Sequence, residues 1–157
     1  MPTSFATSVD ARYFEDYVEG SVHLFGAASV QEADIIAFAR EYDPQFFHTD
    51  PVASENSPFG SVIASGWHTA SLMMRMVVDH YLSHVASLAS PGVDELRWHV
   101  PVRPGDVLSV RATVLEARRS RSKPDRGIIR TLFEVLNQRS EVVLSVKAMN
   151  ILRTRES

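Results

Sequence analysis

Residues Ala64–Val85 read ASGWHTASLMMRMVVDHYLSHV and form the longest helical pattern in the chain. Ala64, Trp67, Ala70, Leu72, Met73, Met74, Met76, Val77, Val78, Tyr81, Leu82 and Val85 cover most of a helix's circumference, the mark of a buried helix. A helix over the whole stretch would be roughly 33 Å long. His68, Arg75, Asp79 and His80 interrupt the apolar run, so it reads as a core helix and not as a membrane span.

The C-terminal part of the chain has a different period. Leu96, Trp98 and Val100 alternate with Arg97 and His99, and Leu108, Val110, Ala112 and Val114 alternate with Ser109, Arg111 and Thr113. Ile129, Thr131, Phe133 and Val135 mark a third strand, and Val142, Leu144, Val146 and Ala148 a fourth. Turns fall at Arg103-Pro104-Gly105-Asp106, at 120–127 and at 137–140, while Pro91-Gly92 ends the connection from the helix. Links of this length predict an antiparallel meander. Upstream, 21–28 is a weak strand. Ser29-Val30-Gln31-Glu32 has the form of a capping box ahead of a helix over 31–42. The expected fold is α+β, an antiparallel sheet wrapped around one long helix. A small sheet leaves part of such a helix uncovered, so a homodimer or higher homo-oligomer is expected.

The bulk numbers narrow the function. A chain of 157 residues is most simply one domain, here 1–157 with its core at about 14–152. The net charge of −3 gives no case for nucleic acid or for an anionic membrane. With no cysteine there is no disulfide, no thiolate metal site and no cysteine nucleophile. The first residues lack the basic start and apolar core of a signal peptide, so a cytoplasmic protein is the expectation.

Chemistry concentrates at 43–66, DPQFFHTDPVASENSPFGSVIASG. Pro44 pushes Asp43 out of the α region, so the preceding helix ends there. A carboxylate at a helix C-terminus faces the negative end of the dipole, which predicts a raised pKa and suits a general base. His48 lies five residues on, and Pro44 and Pro51 allow both side chains to turn into one cleft. Gly66 opens the long helix, with Ser65 beside it. Its N–H has no partner within the helix and can polarise a ligand carbonyl. Each residue has an ordinary alternative. Asp-Pro is a common turn, a loop histidine is usually solvated, and Trp67 and the methionines can be plain core. His48, Asp50 and His68, or His80 and His84, are the sets to weigh for a divalent metal, but nothing sets a ligand geometry. The basic tract Arg118-Arg119-Ser120-Arg121-Ser122-Lys123 reads as a solvated hairpin or as a phosphate contact.

Over about Phe14–Leu152 the chain resembles the MaoC-like, hot-dog-fold dehydratases and (R)-specific enoyl-CoA hydratases. The markers are YFEDYVEG (13–20), FAREYDPQFFHTD (38–50), FGSVIASGWHTASL (59–72) and PVRPGD (101–106). The family pattern is Gly-Asp-x-Asn-Pro-aliphatic-His; here Tyr42, Gln45 and Phe46 replace its glycine, asparagine and proline. Some members carry a serine where Met74 falls. The resemblance implies Asp43 and His48 as the catalytic pair and Gly66 with Ser65 at the thioester oxygen. It implies a pocket shaped by Phe47, Trp67 and Met74, and CoA phosphate contacts at Arg118, Arg119 or Arg121. The implied activity is that of a hydro-lyase of fatty acid metabolism acting on a CoA or acyl-carrier thioester, with no metal and no cofactor beyond the CoA of the substrate. A hot-dog thioesterase and a non-catalytic thioester-binding subunit are the alternatives.

Overall fold

The computed structural model describes residues 2–156. After a short 3-10 turn at Phe14–Asp16, the elements are β1 (Val22–Ser29), α1 (Glu32–Tyr42), α2 (Phe46–Thr49), α3 (Pro51–Glu55) and α4 (Gly66–His80). Four long strands follow: β2 (Ser87–Trp98), β3 (Val107–Arg119), β4 (Arg126–Leu136) and β5 (Val142–Arg153). All pair antiparallel in one sheet, in the order β1-β3-β4-β5-β2, against which α4 packs. This is the hot-dog fold.

The alternation in β3 and β4 does what the sequence pattern requires. Leu108, Val110, Ala112 and Val114 point inward from β3, and Ile129, Thr131, Phe133 and Val135 from β4. They meet Met76 and Val77 of α4 and the buried Tyr81. Gly26 of β1 has φ +88°, and a Cβ there would strike the Met76 thioether, so glycine lets strand and helix touch.

Several expectations are corrected. Only β3, β4 and β5 form a meander. The strand ending at Trp98 begins at Ser87, runs through Pro91 and Gly92 with bulges, and pairs with β5 on the far edge. Alternation reveals a strand but not its neighbour, and an edge tolerates a proline that a central strand would not. The capping box is absent. Ser29 is the last residue of β1, paired with Val107, and the extended residue ahead of α1 is Gln31, without a side-chain cap.

The long helix covers 15 residues, not the whole apolar run. It stops because buried Arg12 takes its final carbonyls, donating to those of His80 (3.1 Å) and Tyr81 (2.8 Å). Ser83 then accepts from the N–H groups of Val85 (3.1 Å) and Ala86 (2.8 Å) and turns the chain into β2. Nor is α4 buried all round. Trp67, Met74 and Val78 stay exposed on one stripe, because the sheet covers only the opposite face.

Candidate active site

Asp43 closes α1. Its N–H donates to the Ala39 carbonyl (2.8 Å), and its φ of −153° and ψ of 67° leave the helical region, as the following proline demands. The next turn, α2, carries His48 inward, where it is 5% exposed. Two bonds fasten this turn to the segment leading into α4. The Ile63 N–H donates to the Phe47 carbonyl (2.9 Å), and His48 Nδ1 donates to the Ile63 carbonyl (2.6 Å). A carbonyl can only accept, so Nδ1 carries a proton and Nε2 is the ring nitrogen turned toward Asp43. That nitrogen lies 3.3 Å from Asp43 Oδ2.

Asp43 Oδ1 accepts from Gln45 Nε2 at 2.7 Å. Partial burial pushes the Asp43 carboxyl upward. The Gln45 amide, the Ser65 hydroxyl and the His48 ring act the other way and outweigh it, so its pKa is held below the ordinary aspartate value. The direction is opposite to the upward shift expected from the helix dipole, because hydrogen bonds from Gln45 and Ser65 favour the charged form. Asp43 is a settled carboxylate near neutrality.

The opposite wall is the first turn of α4. Of its first four N–H groups, Trp67 donates to Ser65 Oγ (3.3 Å), and His68 (2.9 Å) and Thr69 (3.1 Å) donate to the Ser65 carbonyl. Among the described residues the Gly66 N–H has no acceptor. One donor is therefore left open, at the positive end of the helix, on the cleft holding Asp43 and His48. The cleft measures about 370 Å³, and its apolar lining includes Trp67, Trp98 and Val102.

The expected pocket residues divide. Trp67 lines the cleft. Phe47 packs behind His48, ring edge to ring at 4.5 Å, and Met74 lies two turns along α4 on the exposed face; neither lines the cleft within one chain. Arg118 and Arg119 end β3, roughly 35 Å along the strand from Val107. There Arg118 pairs with Glu116 (2.9 Å), Arg119 donates to the Pro124 carbonyl (3.0 Å), and Arg121 lies exposed in the hairpin. The fold does not bring them to the cleft within one chain. The residues weighed as metal ligands also separate. His48 bonds Ile63, Asp50 caps α3 by accepting from Val52 and Ala53, and buried His68 stacks on Phe38. Sequence reasoning missed Trp98 and His99, which line the cleft from the end of β2 and the residue after it. Their only signal is a strand alternation that says nothing about α4.

The MaoC-like domain model matches residues 14–134, and the chain belongs to that family. It is 40% identical to a MaoC-like dehydratase of Rhodospirillum rubrum, with a TM-score of 0.85 over 93% of this chain and 99% of the other. It is 34% identical over 103 residues to the protein MaoC of Klebsiella aerogenes, a match covering 65% of this chain but 30% of that longer protein. The (R)-hydratase PhaJ1 of Pseudomonas aeruginosa shares the fold, with a TM-score of 0.70 at 24% identity over 92% of this chain and 86% of the other.

Proposed function

We propose that the protein adds water reversibly to a trans-2-enoyl thioester of CoA or of an acyl carrier. The observation that carries this reading is the Asp43–His48 pair, 3.3 Å apart, facing the open Gly66 N–H across one cleft. In its neutral form, with Nδ1 donating to Ile63, His48 offers Nε2 as an acceptor beside the carboxylate oxygen, and a molecule that donates to both is water. Held so, its two hydrogens point at the pair and its lone pair points into the cleft.

In hydration the water oxygen bonds to C3 while the C2–C3 π electrons move toward the thioester oxygen. The Gly66 N–H donates to that oxygen as it gains enolate charge. The pair takes one proton from the water and returns it to C2, giving the 3-hydroxyacyl thioester and restoring the pair; dehydration is the reverse. The thioester itself acidifies C2, so the step requires neither metal nor redox cofactor. On this reading the protein serves fatty acid metabolism.

The exposed stripe of α4 and the exposed Val93 of edge strand β2 support a homodimer. In one chain Arg118, Arg119 and Arg121 lie away from the cleft, so a phosphate contact would need them to come from a second subunit. Equal KM for wild type and the triple alanine variant would remove them from the binding site.

Loss of enoyl absorbance across CoA esters of varied length and branching tests the activity. Release of free thiol without hydration would replace it with a thioesterase, and binding without either reaction would leave a thioester-binding subunit.

A further inference from the structure

A residue from edge strand β2 reaches the first turn of α4. Trp98 is the last residue of β2, paired with Leu144. Its indole Nε1 donates to the Gly66 carbonyl at 2.9 Å. Its ring fills the space where a Cβ at position 66 would stand, so glycine is required there by the indole as well as by any ligand. Trp67 packs edge-on against the same ring, at 5.2 Å and 76°.

The first turn of a helix is where backbone order is weakest, because its N–H groups lack internal partners, and glycine is the most permissive residue to place in it. A donor that stabilises a developing oxyanion works only when its direction is held before the reaction. Here the peptide plane following the open N–H is gripped at both ends. Ser65 Oγ accepts from the Trp67 N–H, and Trp98 donates to the Gly66 carbonyl. We propose that Trp98 is a positioning residue, whose indole N–H aims the Gly66 N–H at the carbonyl oxygen of a bound thioester. Trp98 does this through the backbone, from its place in the wall of the cleft. The inference rests on the thioester reading of the cleft, but it can be tested without turnover.

The test compares wild type with Trp98→Phe, which keeps an aromatic ring and removes the N–H. A second variant carries benzothienylalanine at position 98, which has the indole's shape without its donor and guards against loss of folding. The carbonyl stretch of a bound, unreactive saturated acyl-CoA is read by infrared difference spectroscopy. It should lie below the free value in wild type and return toward it in both variants. In hydration assays, kcat should fall about 5- to 30-fold, less than the loss of a whole oxyanion donor. KM should change less than about threefold, as for an interaction realised in the transition state. A purely structural role would lower the melting temperature and leave the stretch unmoved. An unchanged stretch in the folded variants overturns the inference while leaving the hydratase reading intact. A stretch that responds in a protein that never hydrates sinks that reading and leaves the role of Trp98 standing.

Discussion

His48 Nδ1 and the Ile63 carbonyl oxygen are 2.6 Å apart, and this bond decides which ring nitrogen meets Asp43. Ile63 is pinned in turn, because its N–H donates to Phe47 and the next residue, Ala64, donates to Val102. The imidazole therefore presents Nε2 to the carboxylate in one orientation, set by backbone from two sides of the cleft.

If the pair holds one water, its members act as a unit. Asp43→Asn and His48→Gln should each lower kcat on the order of 10²–10⁴, the range for a positioned acid or base. The double variant should be little worse than the poorer single one, and KM should move less than kcat. Steady-state hydration kinetics check this. Fully additive losses would separate the two roles, and near-normal turnover in folded Asp43→Asn would move the site elsewhere.

The carboxylate's pH behaviour follows from its depressed pKa. A group whose folded pKa lies below its unfolded value adds stability above the unfolded pKa and loses it as pH falls through the folded one. Asp43, with burial offset by Gln45, Ser65 and His48, is such a group. Carbon-13 titration of labelled aspartate should put its midpoint below the ordinary 3.8. The midpoint should rise in Gln45→Ala, where the 2.7 Å hydrogen bond is gone. A midpoint above the ordinary value would restore the helix-dipole expectation.

Arg12 carries stability and not chemistry. It is 4% exposed and bonds the carbonyls of residues 7, 80 and 81, at the end of α4 away from the cleft. Arg12→Leu removes the guanidinium donor from those carbonyls, of which that of Tyr81 keeps the Tyr17 hydroxyl, and should destabilise the fold by about 2–4 kcal/mol. Urea unfolding measures the loss, and hydration assays below the melting temperature should return the wild-type KM. A changed KM would tie this end of the helix to the site.

Association has a surface to test. Trp67, Met74 and Val78 form one exposed stripe of α4. The expected species at micromolar concentration is a homodimer burying roughly 2,000 Å² or more in total. Sedimentation should show Val78→Asp shifted toward monomer. A wild-type monomer at that concentration would mean that the stripe serves another purpose.

The sequence alone determined the local facts. Pro44 ends α1 at Asp43, glycine opens the next long helix, and strict alternation makes β3 and β4 half-buried strands; each follows from φ/ψ limits or side-chain period within a few residues. Tertiary structure decided the rest. Alternation tells a strand which face to bury but not which neighbour to join, so the place of β2 at the far edge was not legible, and with it the reach of Trp98 to Gly66. The end of α4 was not legible either, because the residues past it are apolar and the donor that stops it, Arg12, lies nearly seventy positions away. The charge state of Asp43 turned the same way. A helix dipole can be read from position, but Gln45, two residues on, must fold its amide back onto the carboxylate, and Ser65 reaches it only in the folded chain.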